Sequence, residues 1–136
     1  MSALSDFSEN ELVKHFFRTG SFAKPTALYV ALLTVAPSDA GGGTEVTGGS
    51  YERVDCPPLD ANWAATSGTD GHTANVADIV FPAPTADWGQ VVAFGIFSAI
   101  TVGDMYVWGM LTTPKTINNG DPAPKFSAGE LEVTFD

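Results

Sequence analysis

The sequence predicts a mainly β chain, an antiparallel β-sandwich or small barrel with one N-terminal α-helix. Three observations carry this expectation. Helical spacing of apolar residues occurs once, within the first twenty residues. From Ala27 onward, short apolar or alternating runs recur at fairly regular intervals, each closed by Gly, Pro or Asn. No second long helical pattern separates these runs, which excludes parallel βαβ units.

The helix is expected over about Asp6 to Arg18. Ser8-Glu9-Asn10-Glu11 has the form of a capping box. Leu12, Val13, Phe16 and Phe17 share one face, and acids lie early while Lys14 and Arg18 lie late, as the helix dipole favours. Gly20 supplies the stop. A helix this short is not stable alone, so its apolar stripe has to be covered. The cover is either its own domain or a neighbouring subunit, and Leu12, Val13, Phe16 and Phe17 are the candidate assembly interface.

Ala27 to Thr34 is apolar at every position but the last, as in a central strand covered on both sides. The N-terminal helix is a candidate cover for one side. Ala36 to Ser50 holds five glycines in fifteen residues and reads as a long loop outside the core. Ser50 to Val54 alternates and ends before Pro57-Pro58, giving a short edge strand. Residues 57–72 are rich in turn formers, with Trp63 alone among them and a hairpin-type Asp70-Gly71 turn. Thr73 to Phe81 follows as a strand with Ala77, Ile79 and Phe81 on one face. Val91 to Phe97 and Met105 to Leu111 form a hairpin across a loop at Gly103. Pro114 and the Asn118-Asn119-Gly120-Asp121 cluster are breakers, and Leu131, Val133 and Phe135 alternate in a last strand. The organisation expected is a single domain over 1–136, with the helix in 1–20 and the β portion in 25–136.

Composition removes several functions. The 136 residues include six Lys and Arg against sixteen Asp and Glu, a formal charge of −10. Six scattered cations cannot neutralise a phosphate track, so no nucleic-acid partner is expected, and an anionic membrane surface would repel the chain. The longest apolar stretch, Ala27 to Leu33, is too short to span a bilayer. Without a basic start leading into an apolar run, the chain is expected to be made and kept in a cytoplasm. Cys56 stands alone, so no intrachain disulfide exists.

The inventory for chemistry is poor. His15 lies mid-helix and His72 in a turn, and neither has a nucleophile elbow near it in sequence. Cys56 has only Arg53 nearby to favour a thiolate. Zinc finds no ligand spacing, and the loop acids Asp60, Asp70, Asp78, Asp87, Asp104 and Asp121 occur singly rather than in a calcium-loop run. The glycine-rich loop lacks the Lys and helix start of a phosphate cradle and carries Asp39 and Glu45 instead. Glu130 and Glu132 share a strand face that most simply meets water. No catalytic residue, metal or cofactor is therefore expected. Among the aromatics, Trp108 reads as core. Trp63, with the turn residue His72, is the candidate exposed contact, for example to a glycan.

Three blocks of sequence carry a likeness. The first runs Leu28-Tyr-Val-Ala-Leu-Leu-Thr-Val-Ala-Pro-Ser-Asp-Ala-Gly-Gly-Gly-Thr-Glu-Val-Thr-Gly-Gly-Ser-Tyr51 and continues to Arg53. The second joins Phe81-Pro, Thr85-Ala-Asp-Trp-Gly89 and Phe94-Gly-Ile-Phe97. The third joins Trp108-Gly-Met-Leu-Thr-Thr-Pro-Lys115, Asn119-Gly-Asp121, Phe126-Ser-Ala-Gly129 and Leu131-Glu-Val-Thr134. With the Glu9-Asn-Glu-Leu12 helix start, they resemble a family of small virion proteins of tailed bacteriophages, labelled as head decoration or minor capsid protein or as tail-fibre protein. The resemblance spans nearly the whole chain and implies a non-enzymatic structural role, with no catalytic residues carried over. The segment Asp55 to His72 lies outside the shared blocks.

The expectation that follows is a capsid decoration or cement protein on the outer surface of a virion assembled in the host cytoplasm. It would bind the major capsid protein or other virion proteins, as a homo-oligomer. The alternative is a tail or tail-fibre component touching a host receptor or glycan.

Overall fold

A computed structural model describes residues 2–135. The elements, in order, are β1 (Ser2–Leu4), α1 (Asp6–Phe17), β2 (Tyr29–Val35), β3 (Thr44–Glu45), β4 (Val54–Asp55), β5 (His72–Ala74), β6 (Ile79–Val80), β7 (Gly89–Phe97), β8 (Met105–Ile117), β9 (Lys125–Phe126) and β10 (Glu132–Thr134). The main sheet runs β1-β8-β7-β2, and β3 and β4 share the far edge of β2 in succession. Two antiparallel ribbons, β5 with β10 and β6 with β9, complete the fold. The chain is mainly β, all its pairings are antiparallel, and it has one N-terminal helix, as predicted. The barrel alternative is excluded, because the sheet ends at β1 and at β3/β4 without closing.

The core lies between the main sheet and the ribbons. Val30, Ile96 and Val107 stand opposite one another across β2, β7 and β8, and Leu32 stands opposite Phe94. Against them pack Ile79 and Phe81 from one ribbon and Leu131 and Val133 from the other. Burying each such side chain stabilises the fold by roughly 1.5–3 kcal/mol, which offsets the entropy of so many short, loop-linked strands. On the other face of β2, Ala31 and Leu33 are also buried. There the Phe97 ring fills the space a side chain at Gly95 would occupy. The central strand is thus covered on both sides, but not by the helix. α1 lies against β8 and β1 instead.

Backbone acceptors on β8 explain that placement. The N-cap is Ser5, not Ser8. Its hydroxyl accepts from the Ser8 N–H at 3.2 Å and donates to the Met105 carbonyl. Ser8, one turn in, is buried and donates to the Tyr106 carbonyl at 2.9 Å. The Ser8-x-x-Glu11 pattern fits a cap, but the carbonyls of Met105 and Tyr106 claim both serines. Glu11 pairs with Lys14 at 2.8 Å rather than reaching back.

Four other expectations are corrected. The glycine-rich segment is not outside the core, since Val46 is buried in it and Thr44–Glu45 extend the sheet. The strand expected over Thr73 to Phe81 breaks in two. The Asn75 side chain donates to the Ala77 carbonyl at 2.9 Å, folding the chain back on itself and leaving Ala77 exposed. Pro114 does not end β8. Pairing shifts from Ala93 with Met110 to Val91 with Lys115, so Leu111–Pro114 bulge against Val92 and the missing proline N–H is not needed. Trp108 is half-buried outside the main core, its indole N–H donating to Asp39 at 3.0 Å, while Trp88 takes the core position.

Gly43 marks where the loop needs glycine. Its φ is +76°, and a Cβ there would stand 2.6 Å from the Val35 carbonyl oxygen. Gly42 has a similar φ of +80° with open space around it. Gly43→Ala is expected to destabilise by about 2–3 kcal/mol and Gly42→Ala by about 1 kcal/mol. Urea unfolding of both variants checks this; equal costs would refute the steric argument.

Candidate functional site

An apolar groove of about 710 Å³ opens beside the helix. One wall is Leu12 of α1 and the linker residues Phe22, Lys24, Pro25 and Leu28. Pro58, Leu59, Asp60 and Trp63 form another, and Phe135 closes an end. Leu59 and Phe135 are exposed there. Trp63 is half-buried, not a free-standing contact. Its ring packs on the core margin, and its indole N–H donates to the Cys56 carbonyl at 3.2 Å. The floor is the face of the main sheet at Leu4, Ile96 and Val107.

The linker is shaped by local bonds. The Phe22 N–H donates to His15 Nδ1 at 3.2 Å, turning the chain at Gly20. Phe22 then clusters with Phe7 and Tyr106, with ring centroids about 6 Å apart. Lys24 donates to the Pro58 carbonyl at 3.1 Å.

Of the candidate interface residues, only Leu12 reaches the groove. Val13, Phe16 and Phe17 are 51 %, 69 % and 82 % exposed. The chain's own fold therefore leaves these three uncovered. His72 lies outside the groove, its imidazole 3.9 Å from Glu132.

Several groups that could do chemistry are committed to structure. The Asp70 carboxylate accepts from the Ser67 hydroxyl and the His72 N–H, which hold it below the usual carboxylate range, the serine most of all. Asp78 is held low in the same way, first by the Lys125 ammonium and then by the Ala128 N–H. Asp87 and Asp121 cap the turn at Asn118–Asn119, and Glu130 caps the one at Ser127. Glu130 and Glu132 thus have separate partners and make no acid pair. Among the described residues, no group of three or more His, Cys, Asp or Glu is placed to hold a metal ion. No helix among them is long and apolar enough to cross a membrane.

Cys56 is buried, and burial first, then the Asp55 charge, pushes its thiol from an ordinary 9.0 up to about 11. A neutral group with a raised folded pKa holds its proton longer than the unfolded chain does. Its contribution to stability is therefore complete below pH 9 and lost as pH rises toward 11. We expect Cys56 to account for roughly 2 kcal/mol of the fall over that window, so Cys56→Ser should fall by that much less than the wild type, while the raised Tyr51 and Tyr106 phenols weaken both proteins alike. Chemical denaturation at pH 8 and pH 10.5 measures it, and an equal fall in the variant would refute the assignment.

Two polar clusters give the sequence reading no warning. The Arg53 guanidinium forks onto Glu45 with two bonds of 2.8 Å, donates to the Ala99 and Val102 carbonyls at 2.7 Å, and lies 3.9 Å over the Phe97 ring. The Tyr51 hydroxyl donates to the same carboxylate at 2.7 Å and accepts from the Leu32 N–H at 3.0 Å. Asn75, fully buried, ties both ribbons together through its amide. Each cluster fastens loops rather than presenting a reactive group.

Residues 3–134 match the family described as podophage GP4 fiber I protein gp80. The chain belongs to this family. The gp80-family chain is accordingly a structural protein of a bacteriophage. No curated protein matches it. In gp80-family terms, the match takes in the groove apart from Phe135, both clusters and the whole of α1.

Proposed function

We propose that this chain is a non-enzymatic component of the phage fibre, associated with other proteins of the virion. The match of residues 3–134 to a fibre-protein family carries the reading. The site chemistry supports it, because His15 and the carboxylates of Asp70, Asp87 and Asp121 serve turns and the Cys56 thiol is buried. The net charge of −10 suits an outer, DNA-averse position on the particle.

Antibody raised against the chain, imaged by gold labelling on intact virions, tests this. Label on the fibres is expected. Label spread over the capsid would refute it and restore capsid decoration as the role.

A further inference from the structure

The exposed end of α1 and the groove beside it are complementary, and we propose that they bind each other between two copies of this chain. Leu12 lies on the groove wall, and Phe16 stands one turn further along the same helix face. Knob and groove therefore adjoin, so a single two-fold axis between copies satisfies both at once. The helix tip of one copy enters the groove of the other, and the reverse contact forms by symmetry.

Charge agrees with shape. Two of the six cations, Lys14 and Arg18, lie at the end of α1, whereas the whole chain carries −10. Lys14 and Lys24 have partners in their own copy, but Arg18 forms no ion pair among the described residues. Asp60, on the groove wall, forms none either. In the two-fold arrangement Arg18 of one copy meets Asp60 of the other.

The area is sufficient. At 69 % and 82 % exposure, Phe16 and Phe17 together present roughly 300 Å². With the somewhat smaller groove surface they cover added, and the sum doubled for the symmetric contact, this gives about 1,000 Å², the size of a weak interface. Leu59 and Phe135, exposed on the groove, would be covered by the same contact. This inference stands whether the protein sits on fibre or capsid.

Sedimentation equilibrium of the full chain tests it. The wild type is expected to dimerise in the micromolar range, and F16S/F17S to be monomeric with an unchanged circular dichroism spectrum and Tm. Arg18→Glu and Asp60→Lys are each expected to weaken association about tenfold, and the double charge reversal to restore it. A wild type that remains monomeric at about 100 μM overturns the proposal and leaves the tip for a different virion protein. A dimer that survives F16S/F17S, or charge variants without mutual rescue, overturns it as well.

Discussion

Asn75→Ala is expected to cost about 3–5 kcal/mol of stability and to lower the Tm by roughly 10–20 °C. The side chain is 2 % exposed and sits where the two ribbons meet. Its amide nitrogen donates to the carbonyls of Ala77 at 2.9 Å, Ser127 at 3.0 Å and Phe126 at 3.3 Å. Its amide oxygen accepts from the Leu131 N–H at 2.9 Å. Alanine would leave three carbonyls and one N–H of the interior without that partner, each costing about 1–3 kcal/mol if water cannot reach it. The cavity is small and polar, so water entry sets the lower end of the range. Asn75→Asp keeps the shape but turns an acceptor toward three carbonyl oxygens. It should cost at least as much at pH 7. Guanidinium unfolding with unchanged m-values measures both, and a loss below 1 kcal/mol for Asn75→Ala would refute the clamp.

Arg53→Ala is expected to cost about 3–5 kcal/mol and to loosen the Ser98–Asp104 loop specifically. The guanidinium side chain is 6 % exposed, so little water competes for it. One group bridges the β3 residue Glu45 and the loop carbonyls of Ala99 and Val102. That loop is strained, because Val102, a β-branched residue, sits at a φ of +55°. The bond from Arg53 to the Val102 carbonyl helps to hold this conformation. Arg53→Lys should recover less than half of the loss, since an ammonium cannot fork onto a carboxylate and reach both carbonyls. Raising salt to 1 M should change wild-type stability little through this pair, because burial shields it from screening. Hydrogen exchange at residues 98–104 reads the local effect. Exchange that rises uniformly across the chain would refute the tether.

How far the sequence reading reached differs by feature. β7 with β8 was legible because both are long, apolar and joined across a glycine turn at Gly103, where φ is +75°. The helix span was legible to within a residue, but its cap was not. Nothing local distinguishes Ser5 from Ser8 until β8 supplies carbonyls a hundred residues away. The groove was invisible for the same reason. Its walls come from residues 12–28, 58–66 and 133–135, each unremarkable in its own context. Trp63 stands alone in a turn-rich segment, and only the Cys56 carbonyl and the groove explain why it is half-buried.

Hydrophobic periodicity and the placement of glycine and proline were sufficient for the class: a mainly β chain with one helix. These are short-range properties, set by side-chain spacing along a few residues. Tertiary contact alone decided what joins the pieces. Asn75 and Arg53 act through partners as many as 56 residues away, and a single Asn or Arg in a sequence does not reveal whether it is solvated or buried. The exposure of Phe16 and Phe17 was decided at the same level. A helical stripe states that something must cover it, and only the packing of α1 on β8 shows that its own copy does not.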